Sequence, residues 1–233
     1  MQSSLLPAAL IAIVLAATSA QSLASHAIYQ GSIGKSPVTL VIEHTNGVTR
    51  GIYSYDRYRT PIRLKPTFLN TPMRKAMDEL DPEGLPVARL HFNTTNFYPN
   101  TPLISGTWTD YRSGRSLPLT LKPQGFLEDF LRDERSGTQT HSLLQAESSE
   151  RFYFQIPMML SYDAIGAIEV MDKATGKRVQ VLALSLPNIC NRGINTVRVE
   201  QQDEHLHVHV DKRQHCAGAS FKWDDDERRF LQL

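Results

Sequence analysis

Two stretches of the chain repeat one another. Gly51-Ile52-Tyr53 is matched by Gly106-Thr107-Trp108, and Pro61-Ile62-Arg63-Leu64-Lys65-Pro66 by Pro118-Leu119-Thr120-Leu121-Lys122-Pro123, a spacing of 55 to 57 residues. Each copy consists of two β-rich runs around a polar, charged turn, which reads as a small antiparallel meander with one apolar face. Such a meander is marginal in water by itself, so each copy needs a neighbouring unit to cover that face. The pattern predicts a mainly β chain of antiparallel hairpin and meander repeats, packed as a β-propeller-like or sandwich scaffold with few short helices.

The remaining segments agree with that class. Ala27 to Ile42 reads as a hairpin turning near Gly34-Lys35, and Ala167 to Leu182 as a strand, a Gly-containing turn and a strand. Asn195 to Glu200 and Leu206 to Val210 alternate as strands joined by a polar stretch, and the last strands fall around Phe221 to Trp223 and Phe230 to Leu231. Helical signals are two: Met73 to Leu80 behind Pro72, and Gln124 to Arg135, where Phe126, Leu127, Phe130 and Leu131 recur at helical spacing. The resulting division is a β-repeat region over 25–123, a helical and polar linker over 124–150, and a C-terminal β region over 151–233.

No Asp, Glu, Lys or Arg precedes Lys35, and Leu5 to Ala17 is apolar but too short to span a bilayer. Residues 1–24 are expected to be a cleavable secretory signal, cut after Ala20 or Ala24, which delivers the product to the periplasm without stable membrane insertion. Export meets an oxidising compartment, so Cys190 and Cys216 are expected to form a disulfide, worth about 3 to 4 kcal/mol by loop closure. With 25 basic and 24 acidic groups and no long basic run, nothing points to nucleic acid.

Catalytic motifs are missing. Gly34-Lys35-Ser36 superficially suggests a phosphate loop, but that spacing needs glycine where Tyr29 stands and a helix where Pro37 begins a β-branched run. The sequence offers no convincing nucleophile elbow, zinc-protease motif or spaced acid pair, so no catalytic residue and no cofactor is expected. His205, His207 and His209 share one face of a strand; the preferred reading is a polar, solvent-facing side, with metal binding or enzymatic use as the alternative. Asp224 to Glu227 reads as a solvated acidic turn. Aromatic and arginine residues interleave at Tyr55, Arg57, Tyr58, Tyr111 and Arg112, the composition favoured by protein-binding surfaces.

The second half resembles a family of periplasmic inhibitors and immunity proteins found beside secreted antibacterial toxins, distant relatives of lysozyme inhibitors with a β-propeller-like architecture. The likeness is carried by Phe152-Tyr153-Phe154-Gln155-Ile156-Pro157, the Ile168 to Gln180 hairpin, the Gly193 loop, and Phe221-Lys222-Trp223 with Arg229-Phe230. In that family the loop carries an Asp-x-Asn-x-Asp-Gly calcium pattern. Here it reads Asn188-Ile189-Cys190-Asn191-Arg192-Gly193, without the carboxylates and with an opposing arginine, so calcium is not carried over. The first half resembles the amino-terminal regions of exported bacterial proteins. The resemblance implies a non-enzymatic protein whose partner is a cognate effector, such as a phospholipase or a peptidoglycan hydrolase. A structural cell-envelope factor is the further alternative.

Overall fold

A computed structural model describes residues 24–45, 48–67, 75–94, 97, 101–128, 140–159, 167–184, 194–202, 205–212 and 219–233. Residues 1–23, which hold all but the last residue of the expected signal, together with Cys190, Cys216 and the Asn188 to Gly193 loop, therefore lie outside the described residues. Among the described residues there is no helix, and every strand pairing is antiparallel. No helix is long and apolar enough to cross a membrane.

Eight strands follow one another around a closed barrel: β1 (Ala24–Ile33), β2 (Ser36–Thr45), β3 (Val48–Tyr55), β4 (Ile62–Thr67), β5 (Lys75–Leu80), β6 (Pro86–Phe92), β7 (Ile104–Asp110) and β8 (Ser116–Glu128). The ring is sealed where β1 pairs β8, with Gly31 opposite Leu121 and Ile33 opposite Leu119. Alternation decides what faces inward. Tyr29, Leu40, Tyr53, Leu64, Met77, Leu90, Phe92, Ile104 and Leu119 fill the interior, while Asp78 and Arg89 pair on the outside. A lipid-facing barrel has the opposite polarity, so this one is filled by its own core.

The sequence repeat becomes the hairpins β3–β4 and β7–β8, which stand opposite each other in the ring of eight. The apolar face that each meander had to cover is thus covered by barrel closure, where the sequence led to a propeller-like or sandwich packing.

Both helical expectations are overturned where their residues are described, at 75–80 and 124–128. Residues 75–80 form β5, because pairing with β4 and β6 on both sides outweighs the local signal from Pro72. Residues 124–128 extend β8. Ile28 pairs Gly125 and Tyr29 pairs Pro123, so Gln124 is an extra residue in a bulge. That bulge breaks the two-residue period and leaves Leu121 and Phe126 five positions apart on the packed side, so strand alternation is hidden at this point of the sequence. The stretch 124–150 is consequently no helical linker where it is described: it holds the end of β8 and the whole of the next strand.

The C-terminal half contributes two four-stranded sheets. One runs in the order β12 (Arg178–Ala183), β11 (Ala167–Asp172), β10 (Phe152–Met159), β9 (Thr140–Ser148); the other runs β13 (Ile194–Gln202), β14 (His205–Lys212), β15 (Ser220–Asp224), β16 (Arg229–Gln232). They share one apolar core. Phe152, Phe154, Ile168 and Val170 meet Val197, Val208, Phe221 and Phe230, with the Phe152 ring 4.9 Å from Trp223 and 5.7 Å from Phe230. Ile28, Val41 and Ile52 on the outer wall of the barrel join the same cluster, so the barrel is packed against these sheets. Arg59, at the end of the β3–β4 connection, donates to the Lys173 carbonyl at 2.7 Å and ties that connection to the β11–β12 turn.

Candidate functional site

Antiparallel order sends all odd-numbered barrel strands the same way, so the connections at 34–35, 56–61, 81–85 and 111–115 gather at one end. All four are described. At the opposite end Phe97 packs edge-on against Tyr29 at 6.0 Å and against Phe92 at 4.9 Å, closing the interior with rings. At the turn end the inward layer consists of Tyr55, Ile62, Glu79, Trp108 and Leu117, each partly exposed. The barrel therefore has one stoppered end and one open mouth.

Glu79 stands on β5 in that mouth. Its Oε2 accepts the Tyr53 hydroxyl at 2.7 Å and the Trp108 indole N–H at 2.8 Å. Tyr53 comes from β3 and Trp108 from β7, so the two donors converge on one oxygen from either side. They are also the matching aromatics of the repeat. Glu79 Oε1 has no donor among the described residues. The carboxylate is thus held at one oxygen by neutral donors and is open at the other.

Burial pushes the Tyr53 phenol far above its ordinary range, and the Glu79 carboxylate and Tyr55 push the same way, so Tyr53 stays a donor. Burial also raises Tyr29 and Tyr55, and it lifts Tyr111 to about 12 together with the hydrogen bond to Asp78. Below pH about 10 both folded and unfolded tyrosines keep their protons; above it the unfolded chain ionises first and stability falls. We expect a subset of the eight tyrosines to form tyrosinate only as the β circular dichroism is lost. Reversible ionisation of all of them near pH 10, with the dichroism intact, contradicts this burial pattern.

The five residues singled out from sequence come together at this end. Tyr55 lines the mouth, Arg57 and Tyr58 occupy the β3–β4 connection, and Tyr111 and Arg112 occupy the β7–β8 connection across the ring. Tyr58 is 61% exposed, Tyr111 44%, and Leu85 on the β5–β6 connection 63%. The Arg57 guanidinium lies 5.5 Å from the Tyr58 ring centre. Tyr111 is braced from outside: its hydroxyl donates to Asp78 at 2.6 Å, and Arg89 holds the same carboxylate at 2.7 and 3.2 Å. Burial opposes ionisation of Asp78, but these hydrogen bonds and that of Thr67 outweigh it and hold the carboxyl below its usual range.

Glu79 escaped the sequence reading because it fell inside a segment assigned to a helix. The repeat marks Tyr53 and Trp108 as equivalent inward positions, but only barrel closure brings both to Glu79.

The other candidates separate from this site. The Gly34-Lys35 segment is the β1–β2 turn, with Gly34 at a φ of 60°. His207 and His209 lie on the outer face of β14 with parallel rings 6.1 Å apart, and His209 Nε2 is 3.6 Å from Glu200 Oε2. Among the described residues no group of three or more His, Cys, Asp or Glu is arranged to hold a metal ion. A cleft of about 240 Å³ lies between the outer wall of the barrel and β9–β10, lined by Thr39, Ser54, Asp56, Arg59, Tyr153 and Gln155 among others. Its arginine is committed to the Lys173 carbonyl.

No protein-family model matches the chain, and no curated protein does. A solved structure of a protein of unknown function from Bacteroides caccae is similar at 10% identity, over 90% of this chain and 72% of that one, with a TM-score of 0.27.

Proposed function

We propose that the protein is a non-enzymatic binding protein of the periplasm, an immunity or inhibitor protein that covers the working surface of a secreted antibacterial effector such as a phospholipase or a peptidoglycan hydrolase. The observation that carries this reading is the exposure of Tyr58, Leu85 and Tyr111 on three connections of one barrel end, beside Arg57 and Arg112. Tyrosine and arginine are the side chains that dominate protein interfaces, and turns fixed by a closed barrel lose little entropy on docking. The apolar signal-like start and the resemblance of 151–233 to periplasmic inhibitors supply the compartment, the class of partner and the propeller-like comparison.

The test is capture of a partner by the protein spanning 25–233 from periplasm and from cells expressing neighbouring genes, followed by titration with rim variants. Tyr58→Ala combined with Tyr111→Ala is expected to weaken a one-to-one complex by about thirtyfold or more, and to remove protection against the effector. A captured partner whose affinity ignores both substitutions, or the absence of any partner and of any protection, ends this reading.

A further inference from the structure

Among the described residues, four partly buried carboxylates on strands are paired with arginine. Glu43 lies against Arg50, Asp78 against Arg89, Asp172 near Arg151 and Glu169 against Arg178. Glu79 departs from that pattern: among the described residues no ion pair reaches it, and its two donors are uncharged. It is also the one of these carboxylates that stands inside the barrel, at the open mouth, with Trp108 and Tyr55 beside it.

A carboxylate with one oxygen pinned and the other open, walled by aromatic rings, matches the needs of a single organic cation. The open oxygen accepts a charge-assisted hydrogen bond, and the rings offer their faces to the positive charge. We infer that the barrel mouth is a socket for one basic side chain, an arginine or lysine, presented by the protein partner. The surrounding rim carries exposed Lys35, Arg57, Arg112 and Arg115 against exposed Asp56 and Glu83, an excess of positive charge, so the partner surface that fits is a lone basic residue on a mainly acidic face. Arginine suits the site better than lysine, because a flat guanidinium can stack on the Trp108 indole while donating to Glu79.

This inference rests on the binding reading above and fails separately from it, since its test needs no partner. The chain has two tryptophans, Trp108 and Trp223, so the indole N–H region of a proton–nitrogen correlation spectrum holds two reporters, assigned with a Trp223→Phe variant. The probe is Nα-acetyl-arginine methyl ester, with the uncharged citrulline analogue as control. The Trp108 signal is expected to move saturably with a Kd on the order of 1 mM, while Trp223 stays still and the citrulline analogue has no effect.

Glu79→Gln keeps an oxygen for Tyr53 and Trp108 to donate to, and is expected to weaken the probe by about tenfold or more. Tyr55→Leu leaves Glu79 and both of its donors in place, and is expected to weaken it by about threefold or more. A silent Trp108 signal, an equal response to citrulline, or undiminished binding by Glu79→Gln overturns the socket. The Tyr55→Leu result holds the test open if the other variant does not fold.

Discussion

Gly106→Ala is expected to destabilise the protein by about 3 kcal/mol or more, while the matching change in the other copy of the repeat, Gly51→Ala, costs about 1 kcal/mol or less. A Cβ at Gly106 would lie 1.9 Å from the His91 carbonyl oxygen and 3.2 Å from the Phe92 Cα, both backbone atoms of the neighbouring strand β6. Neither can rotate away, so β6 and β7 must separate. In a closed barrel that separation strains every other pairing. At Gly51 the same atom would meet the Ile42 Cδ1 and the Met77 Cε, each at 3.0 Å. These are ends of flexible side chains, and methionine adapts readily. Gly31 repeats the first case at the closing seam, where a Cβ would sit 1.8 Å from the Thr120 carbonyl oxygen. Denaturant midpoints of the three alanine variants check the ranking. Equal effects at positions 51 and 106 would show that the strands do not approach as described.

The same glycines show how far the sequence reaches. Gly51-Ile52-Tyr53 and Gly106-Thr107-Trp108 identify two related hairpins, because side-chain periodicity is a local property. Nothing local tells that Gly31 lies opposite Leu121 across ninety positions of chain, and without that pairing the meanders remain an open sheet, a sandwich or a blade. The bulge at Gln124 was illegible for a related reason. Inserting one residue changes the apolar period, and only the partner strand β1 reveals that the strand continues.

The candidate contact residues divide in the same manner. Arg57, Tyr58, Tyr111 and Arg112 were visible by composition, since aromatic and basic residues in turns have no core to enter. Their gathering at one end follows from strand parity alone: an even number of strands separates the β3–β4 and β7–β8 turns. Glu79 was invisible because a carboxylate in a short segment reads as surface until the strands on both sides of it are known. The barrel converts a sequence repeat into a converging pair of donors, and the carboxylate between them acquires its meaning only there.

The largest effect expected in the C-terminal half comes from one amide. Gln180 on β12 donates from Nε2 to the Phe230 carbonyl at 2.7 Å and accepts the Phe230 N–H on Oε1 at 2.7 Å. β12 and β16 are edge strands of different sheets, so this side chain supplies the two hydrogen bonds that a paired backbone would give. Phe230 is buried, with its ring against Phe152, Phe154 and Trp223. Gln180→Leu leaves its N–H and C=O without these partners and is expected to cost about 2 to 4 kcal/mol. Gln180→Glu separates the hydrogen bonds from the shape. When ionised it still accepts the Phe230 N–H but turns a second oxygen toward the Phe230 carbonyl, so folding raises its pKa above the ordinary value of about 4.3. Below that pH the new carboxyl is protonated in both states, can donate to the carbonyl, and stability is retained. As pH rises above it, the unfolded chain releases the proton first and stability falls until the folded pKa is passed. Urea midpoints at each pH, taken as differences from the parent protein, should show Gln180→Glu near the parent at pH about 4 and close to Gln180→Leu at pH about 7. A difference that does not change with pH would mean that the amide is not bridging the two sheets.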